Sequence, residues 1–191
     1  MTRSSRRTFL QVLAAASVHG LVRRASAAEV SVPIRLQSEL IGKIAAFDRA
    51  FRARSGSTAR LIVAYKDGDS ARIGHQMEQA LTEMPNIAGL SKTVETLAWS
   101  SPAALLAAIR GRSTALVYLS VGLEVEAPMI ATALEGSDVL TVGATGAIVE
   151  RGACVGFELE EGKPKIYVSL RVSKAQKVDF GAHLLNLVKL V

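Results

Sequence analysis

Strand-like apolar runs alternating with helical stretches from Arg60 to Val142, a glycine-turned hairpin beyond them and a last leucine-bearing helical stretch predict an α/β protein. The expected architecture is Rossmann-like and three-layered, a mainly parallel sheet extended by a C-terminal antiparallel β-hairpin and a C-terminal helix. Short connections with right-handed crossovers make that sheet the natural result of the alternation.

The first 28 residues stand apart from the fold. Arg6 and Arg7 precede Phe9 and Leu10, then an apolar run from Val12 to Val18, then an Ala25-Ser26-Ala27 stop. Paired arginines, an apolar core and a small-residue site in that order are the pattern of a twin-arginine export signal. The run is shorter than the ~20 residues of a membrane span. The expectation is a signal peptide over 1–28, cut after Ala27 or Ala28, a periplasmic location, and one domain over 29–191. Arg3, Arg6, Arg7, Arg23 and Arg24 leave with the signal and no acid does, so the 23 basic residues fall to 18 against 17 acidic ones. The nearly neutral remainder carries no basic run, which argues against a nucleic-acid partner.

Val32-Pro33 opens a helix in which Ile34, Leu40, Ile41, Ile44, Phe47 and Phe51 share a face, and Ser55-Gly56-Ser57 ends it. Arg60–Tyr65 reads as a strand. Lys66-Asp67-Gly68 turns it into a helix from about Ala71 to Glu83 for which Asp69 or Ser70 would be the cap. This turn lacks both glycine-rich phosphate signatures, and Asp67 and Asp69 would repel a phosphate. Residues 92–99 alternate as a strand ending at Trp99, and Ser101-Pro102 starts a helix closed at Gly111. Residues 114–119 form another strand, and residues 126–134 a short helix.

Val139, Leu140, Thr141 and Val142 form a β-branched run closed by Gly143, as in a strand buried on both faces. Residues 154–159 and 166–168, joined through Glu161-Gly162, read as a hairpin. Arg171 to Val178 is one or two helical turns, and Ala182 to Leu190 a C-terminal helix.

The chemistry-bearing motifs are few. No G-x-S-x-G, H-E-x-x-H or C-x-x-C occurs, and no carboxylate pair is set up for acid–base work, so an enzyme, a metal site and a cofactor are not expected. Cys154, the only cysteine, reads as a small buried residue, with an intermolecular disulfide or a reactive thiol as the other roles. His75 reads as a solvated or core-edge histidine. The most reactive-looking place is the loop of Gly143, Thr145 and Gly146 with Arg151. Amides freed by glycines, a hydroxyl and a guanidinium could cradle a small anion, and a plain strand-to-hairpin connection accounts for the same glycines.

In the order Val139–Val142, Gly152, Gly156-Phe157, Lys163–Leu170 and Leu184-Leu185, the chain resembles the YfiR/HmsC-like family of bacterial periplasmic signalling proteins. It departs from the family pattern in lacking a Trp-Pro pair over residues 52–57, in its single cysteine where disulfides are common, and in Ser169 and Gly181-Ala182 at positions that usually carry other caps. The resemblance implies a non-enzymatic regulator that binds and represses the periplasmic portion of an inner-membrane signalling protein of the diguanylate cyclase or kinase type. Homodimers are common in the family. A small-ligand or anion binder using the strand ends near Lys66, Trp99, Ser120 and Gly143 is the alternative, and a scaffold role is a third. Arg151 is the first choice of a charge whose reversal would abolish partner binding.

Overall fold

The computed structural model describes residues 30–191. Arg6, Arg7, Phe9, Leu10, Ala25 and Ala27 therefore lie outside the described residues. Helices α1 (Ile34–Phe47) and α2 (Phe51–Ser55) lead into strand β1 (Thr58–Tyr65). Then come α3 (Asp69–Glu83), β2 (Ser91–Ala98), α4 (Pro102–Ile109), β3 (Thr114–Leu119), α5 (Ala127–Ala133) and β4 (Leu140–Gly143). The chain finishes with α6 (Gly146–Arg151), β5 (Val155–Glu160), β6 (Lys163–Val168), α7 (Leu170–Ala175), α8 (Ala182–Leu185) and β7 (Lys189–Leu190).

The strands form one sheet in the order β2-β1-β3-β4-β5-β6-β7. All neighbours run parallel except the β5–β6 hairpin. Its turn residues Glu161 and Gly162 both have positive φ, 51° and 73°, as a two-residue type I′ turn demands. Right-handed crossovers put α3 on one face and α4 and α5 on the other. Contacts agree, since α1 packs on α3 and α4 on α5. Strand β3 is buried along its whole length and β1 from Ala59 to Ala64, so the apolar runs of these inner strands are the core of the protein. The α/β class and the mainly parallel sheet are as the sequence predicts.

The structure corrects four local expectations. The first helix is split, because Asp48 leaves the helical path with ψ 110° and its Oδ1 accepts the Ala50 amide at 3.1 Å, a local bond that competes with helix continuation. Neither Asp69 nor Ser70 caps α3. Gly68 holds the cap position with φ 72°, and the Ser70 hydroxyl instead accepts the Lys66 amide at 2.9 Å. The loop after Gly143 contains α6, which runs through residues read as irregular. The last helix is a single turn. Leu187 and Leu190 are 64% and 49% exposed and lie on no common buried helical face, so the chain extends instead and its end pairs with β6, Val191 donating to the Val168 carbonyl at 3.0 Å.

Candidate functional site

The order β2-β1-β3 places a reversal of strand order in the sheet between β1 and β3, where a crevice at the strand carboxyl ends is the usual ligand site of open α/β sheets. Here the protein fills it with its own groups. Lys66 Nζ pairs with Glu126 Oε1 at 2.7 Å, the Ser120 hydroxyl donates to the Ser70 carbonyl at 2.8 Å, and the Trp99 amide donates to the Tyr65 carbonyl at 2.7 Å. Trp99 packs partly buried against the core.

The glycine loop is divided in the same way. Gly143 and Gly146 are buried and Thr145 precedes α6, whereas Arg151 sits exposed in the last turn of that helix. Five helical steps separate Gly146 from Arg151 by about 8 Å along the axis. The structure thus keeps Gly143, Thr145 and Gly146 together and Arg151 away from them. A Cβ on Gly143 would lie 2.7 Å from Ile148, so this glycine serves close packing of strand on helix.

The other ends of the strands hold a cluster that sequence reasoning missed. Arg54 of α2 has a side chain only 2% exposed, and its Nη1 lies 3.0 Å from Oδ2 of the fully buried Asp48. Its Nε lies 3.1 Å from Oδ1 of Asp138, whose side chain is 46% exposed. Nη2 donates to the Lys177 carbonyl at 3.2 Å. Asp48 Oδ1 also accepts the Asp179 amide at 3.2 Å. Burial pushes the Asp48 carboxyl above the usual carboxylate range, with Arg54 and the two amides pulling the other way. Asp138 sits at φ 57°, a left-handed conformation that aspartate tolerates better than most side chains.

Beside this cluster a cleft of 480 Å³ opens between the C-terminal ends of α4 and α5 and the starts of β3 and β4. Arg54 and Asp138 line it, with Leu106, Ile109, Arg110, Arg112, Thr114, Glu135 and Val139 among its walls. Next to it Arg60 grips Glu95 with two hydrogen bonds, Nε to Oε1 at 2.8 Å and Nη2 to Oε2 at 2.6 Å. Its Nη1 donates to the Thr114 hydroxyl at 2.7 Å and the Ala108 carbonyl at 2.8 Å. The Arg60 hydrogen bonds hold the Glu95 carboxyl below its ordinary range. Arg60, a cation at the head of an apolar strand, carried a visible signal that the strand reading did not use. Asp48 and Arg54, six residues apart, carried no local signal.

A further surface feature lies on α5 and the turn before it. Val125 is 72% and Met129 51% exposed. Met129 borders a shallow apolar groove of 440 Å³ with Pro102, Pro128, Thr132 and Ala133. Cys154, by contrast, is buried, its thiol donates to Gln176 Oε1 at 3.1 Å, and burial pushes its pKa up. His75 is exposed and meets the Tyr65 ring at a tilt of 51°, centroids 5.0 Å apart. Among the described residues no three His, Cys, Asp or Glu side chains gather as a metal site, and no helix is long and apolar enough to cross a membrane.

A family model described as YfiR/HmsC-like matches residues 35–189, nearly all of the described residues. The chain belongs to the YfiR/HmsC-like family. The family is one of periplasmic regulatory proteins. No curated protein matches it. Among solved structures this YfiR/HmsC-like chain is similar to an ABC domain from Streptococcus pneumonia, solved in complex with L-Trp, at 12% identity and a TM-score of 0.58, covering 83% of this chain and 62% of that one. It is similar to a conserved domain protein from Vibrio cholerae O1 biovar El Tor at 13% identity and TM-score 0.58, over 83% and 60%. A third is the ligand-free, open form of CD0873, a substrate binding protein with adhesive properties from Clostridium difficile, at 12% identity and TM-score 0.52, over 74% and 57%. These likenesses show the fold, and the chain spans about six tenths of the length of each structure.

Proposed function

We propose that this YfiR/HmsC-like protein is exported by the twin-arginine route and acts in the periplasm without catalysis, as a repressor. It binds the periplasmic portion of an inner-membrane signalling protein of the diguanylate cyclase or kinase type and holds it inactive until an envelope signal shifts the balance between bound and free forms. Family membership over residues 35–189 carries this reading. The uncovered Val125 and Met129 support it, since exposed apolar side chains beside an apolar groove are what a protein contact covers.

The test is capture from detergent-solubilised envelope with tagged protein spanning residues 28–191, with mass spectrometry of what co-elutes. Recovery of a membrane cyclase or kinase, together with a fall in its activity when the protein is added back, is the expected result. Recovery of no such protein removes the reading.

A further inference from the structure

We infer that the cleft at the amino ends of β3 and β4 binds a small zwitterion with an apolar body, a molecule of the free amino-acid class. Its 480 Å³ lies within the ~300–1,000 Å³ of small-molecule sites. The assignment rests on how charge is distributed around the rim.

One rim is cationic. Arg110 and Arg112, from the connection between α4 and β3, both line the cleft and both are exposed. Arg110 has no ion pair among the described residues. Arg112 has one contact, 3.6 Å to Glu95 Oε1, a carboxylate already held by both ends of the Arg60 fork. A guanidinium presents parallel donors to a carboxylate, so this rim fits the acid end of a ligand.

The facing rim is anionic. Glu135 and Asp138 come from the connection between α5 and β4. Glu135 has no ion pair among the described residues. Asp138 shares the single guanidinium of Arg54 with the fully buried Asp48. Two carboxylates against one cation leave negative charge in excess, and it falls at Asp138, the half-exposed member that faces the cleft. A ligand ammonium there supplies the missing countercharge. A simple anion would meet Glu135 and Asp138, and a simple cation would meet Arg110 and Arg112. The four rim side chains sum to zero charge, which selects a dipolar ligand without net charge. Leu106, Ile109, Ala133 and Val139 form the apolar part of the lining and take up its body.

The inference is independent of the partner reading, and its test needs no partner. Protein spanning residues 28–191 is titrated calorimetrically with L-leucine, L-methionine and L-phenylalanine, each beside its N-acetyl and carboxamide forms. Saturable binding of at least one free amino acid is expected, weakened about tenfold or more by blocking either charged end, a loss of roughly 1.4 kcal/mol each. Arg110→Gln and Glu135→Gln, both at the surface, weaken it to a similar degree with unchanged melting temperature. Arg151→Gln, outside the lining of the cleft, leaves it unaltered. Absence of saturation by all three amino acids at millimolar concentration overturns the inference. So does equal binding of the blocked forms, or wild-type affinity in both rim variants.

Discussion

Arg54 and Asp48 form an ion pair closed to solvent from both sides, at 3.0 Å and with 2% and 0% side-chain exposure, and each partner also bonds a segment remote in sequence. Asp48 ends α1 and accepts the Asp179 amide, while Arg54 donates to the Lys177 carbonyl. The first helical layer is thereby fastened to the segment that leads into the last turn of helix and the edge strand. Removing one partner strands the other charge in a dry site, which costs about 3–5 kcal/mol. Arg54→Met is therefore expected to lower the urea midpoint by that equivalent, and Asp48→Asn added to it should recover part of the loss. An Arg54→Met protein within about 1 kcal/mol of the wild type would show that the pair is not needed.

The same carboxylate sets a direction for pH dependence. Burial raises the folded-state pKa of Asp48 above its unfolded value of about 3.9, so the folded protein holds that proton more tightly than the unfolded chain. Its contribution to stability is fully present below the unfolded pKa and is lost as pH rises through the raised folded one. Glu95 acts oppositely, because Arg60 lowers its pKa and its contribution disappears as pH falls. Comparison with Asp48→Asn isolates the first effect. The stability of the wild type relative to this variant should increase as pH is lowered from 7 toward about 4. A flat or reversed difference in chemical denaturation would contradict the buried, raised carboxyl.

How far the fold could be read in advance follows from the range of the interactions involved. The inner strands were legible because a strand buried on both faces must be apolar along its length, as residues 114–119 and 139–142 are. The Ser101-Pro102 start was legible because the cap is local, Ser101 Oγ accepting the Ala104 amide at 3.2 Å. Helix α6 was hidden by the glycines in and around it, of which Gly143 at the end of β4 and Gly156 in β5 answer to side chains and backbone that come close only in the folded sheet. The C-terminal edge strand was hidden because its partner is β6, and a leucine-rich stretch read alone favours helix. The cleft was hidden for the same reason. Arg54 comes from α2, Arg110 from the connection between α4 and β3, and Glu135 and Asp138 from that between α5 and β4, and only the parallel sheet brings these three segments to one end.

A buried polar contact spans the sheet at its other end. The Tyr118 hydroxyl, with no exposure, donates to Gln37 Oε1 at 3.0 Å, while Gln37 Nε2 donates to the Val32 and Ala144 carbonyls at 3.0 and 3.1 Å. Tyr118→Phe keeps the ring and removes the donor, leaving a buried amide oxygen unpaired at a cost of about 1–3 kcal/mol. Thermal unfolding should register that loss, whereas Tyr65→Phe, at a partly exposed ring, should change little. Equal melting temperatures for wild type and Tyr118→Phe would mean that Gln37 finds another donor.

Gly152 marks where α6 meets α5. A Cβ there would lie 2.4 Å from the Ala127 carbonyl oxygen and 2.8 Å from the Ala131 Cβ, positions held by helix backbone. Gly152→Ala must push the two helices apart, and overpacking of this kind costs roughly 1–3 kcal/mol. Gly111→Ala meets nothing within 4 Å but places a side chain at φ 70°, so it separates backbone strain from steric clash. Gly152→Ala should be the more damaging of the two in denaturant titrations, and the reverse order would place the strain at Gly111 above the clash.

The docking reading makes a sharper demand of α5. If Val125 and Met129 are covered by the periplasmic portion of a membrane signalling protein, Val125→Glu with Met129→Glu puts two charges into that contact while exposing nothing new, since both side chains already face water. Burying such charges without partners costs several kcal/mol at an interface and almost nothing in the free protein. The double variant should lose the captured cyclase or kinase and the associated repression while its melting temperature stays at the wild-type value. Arg151→Glu, at the exposed end of α6, tests a separate surface by the same assay. Loss of capture with Arg151→Glu alone would move the contact to α6, and full capture by both variants would exclude these two surfaces as the docking face.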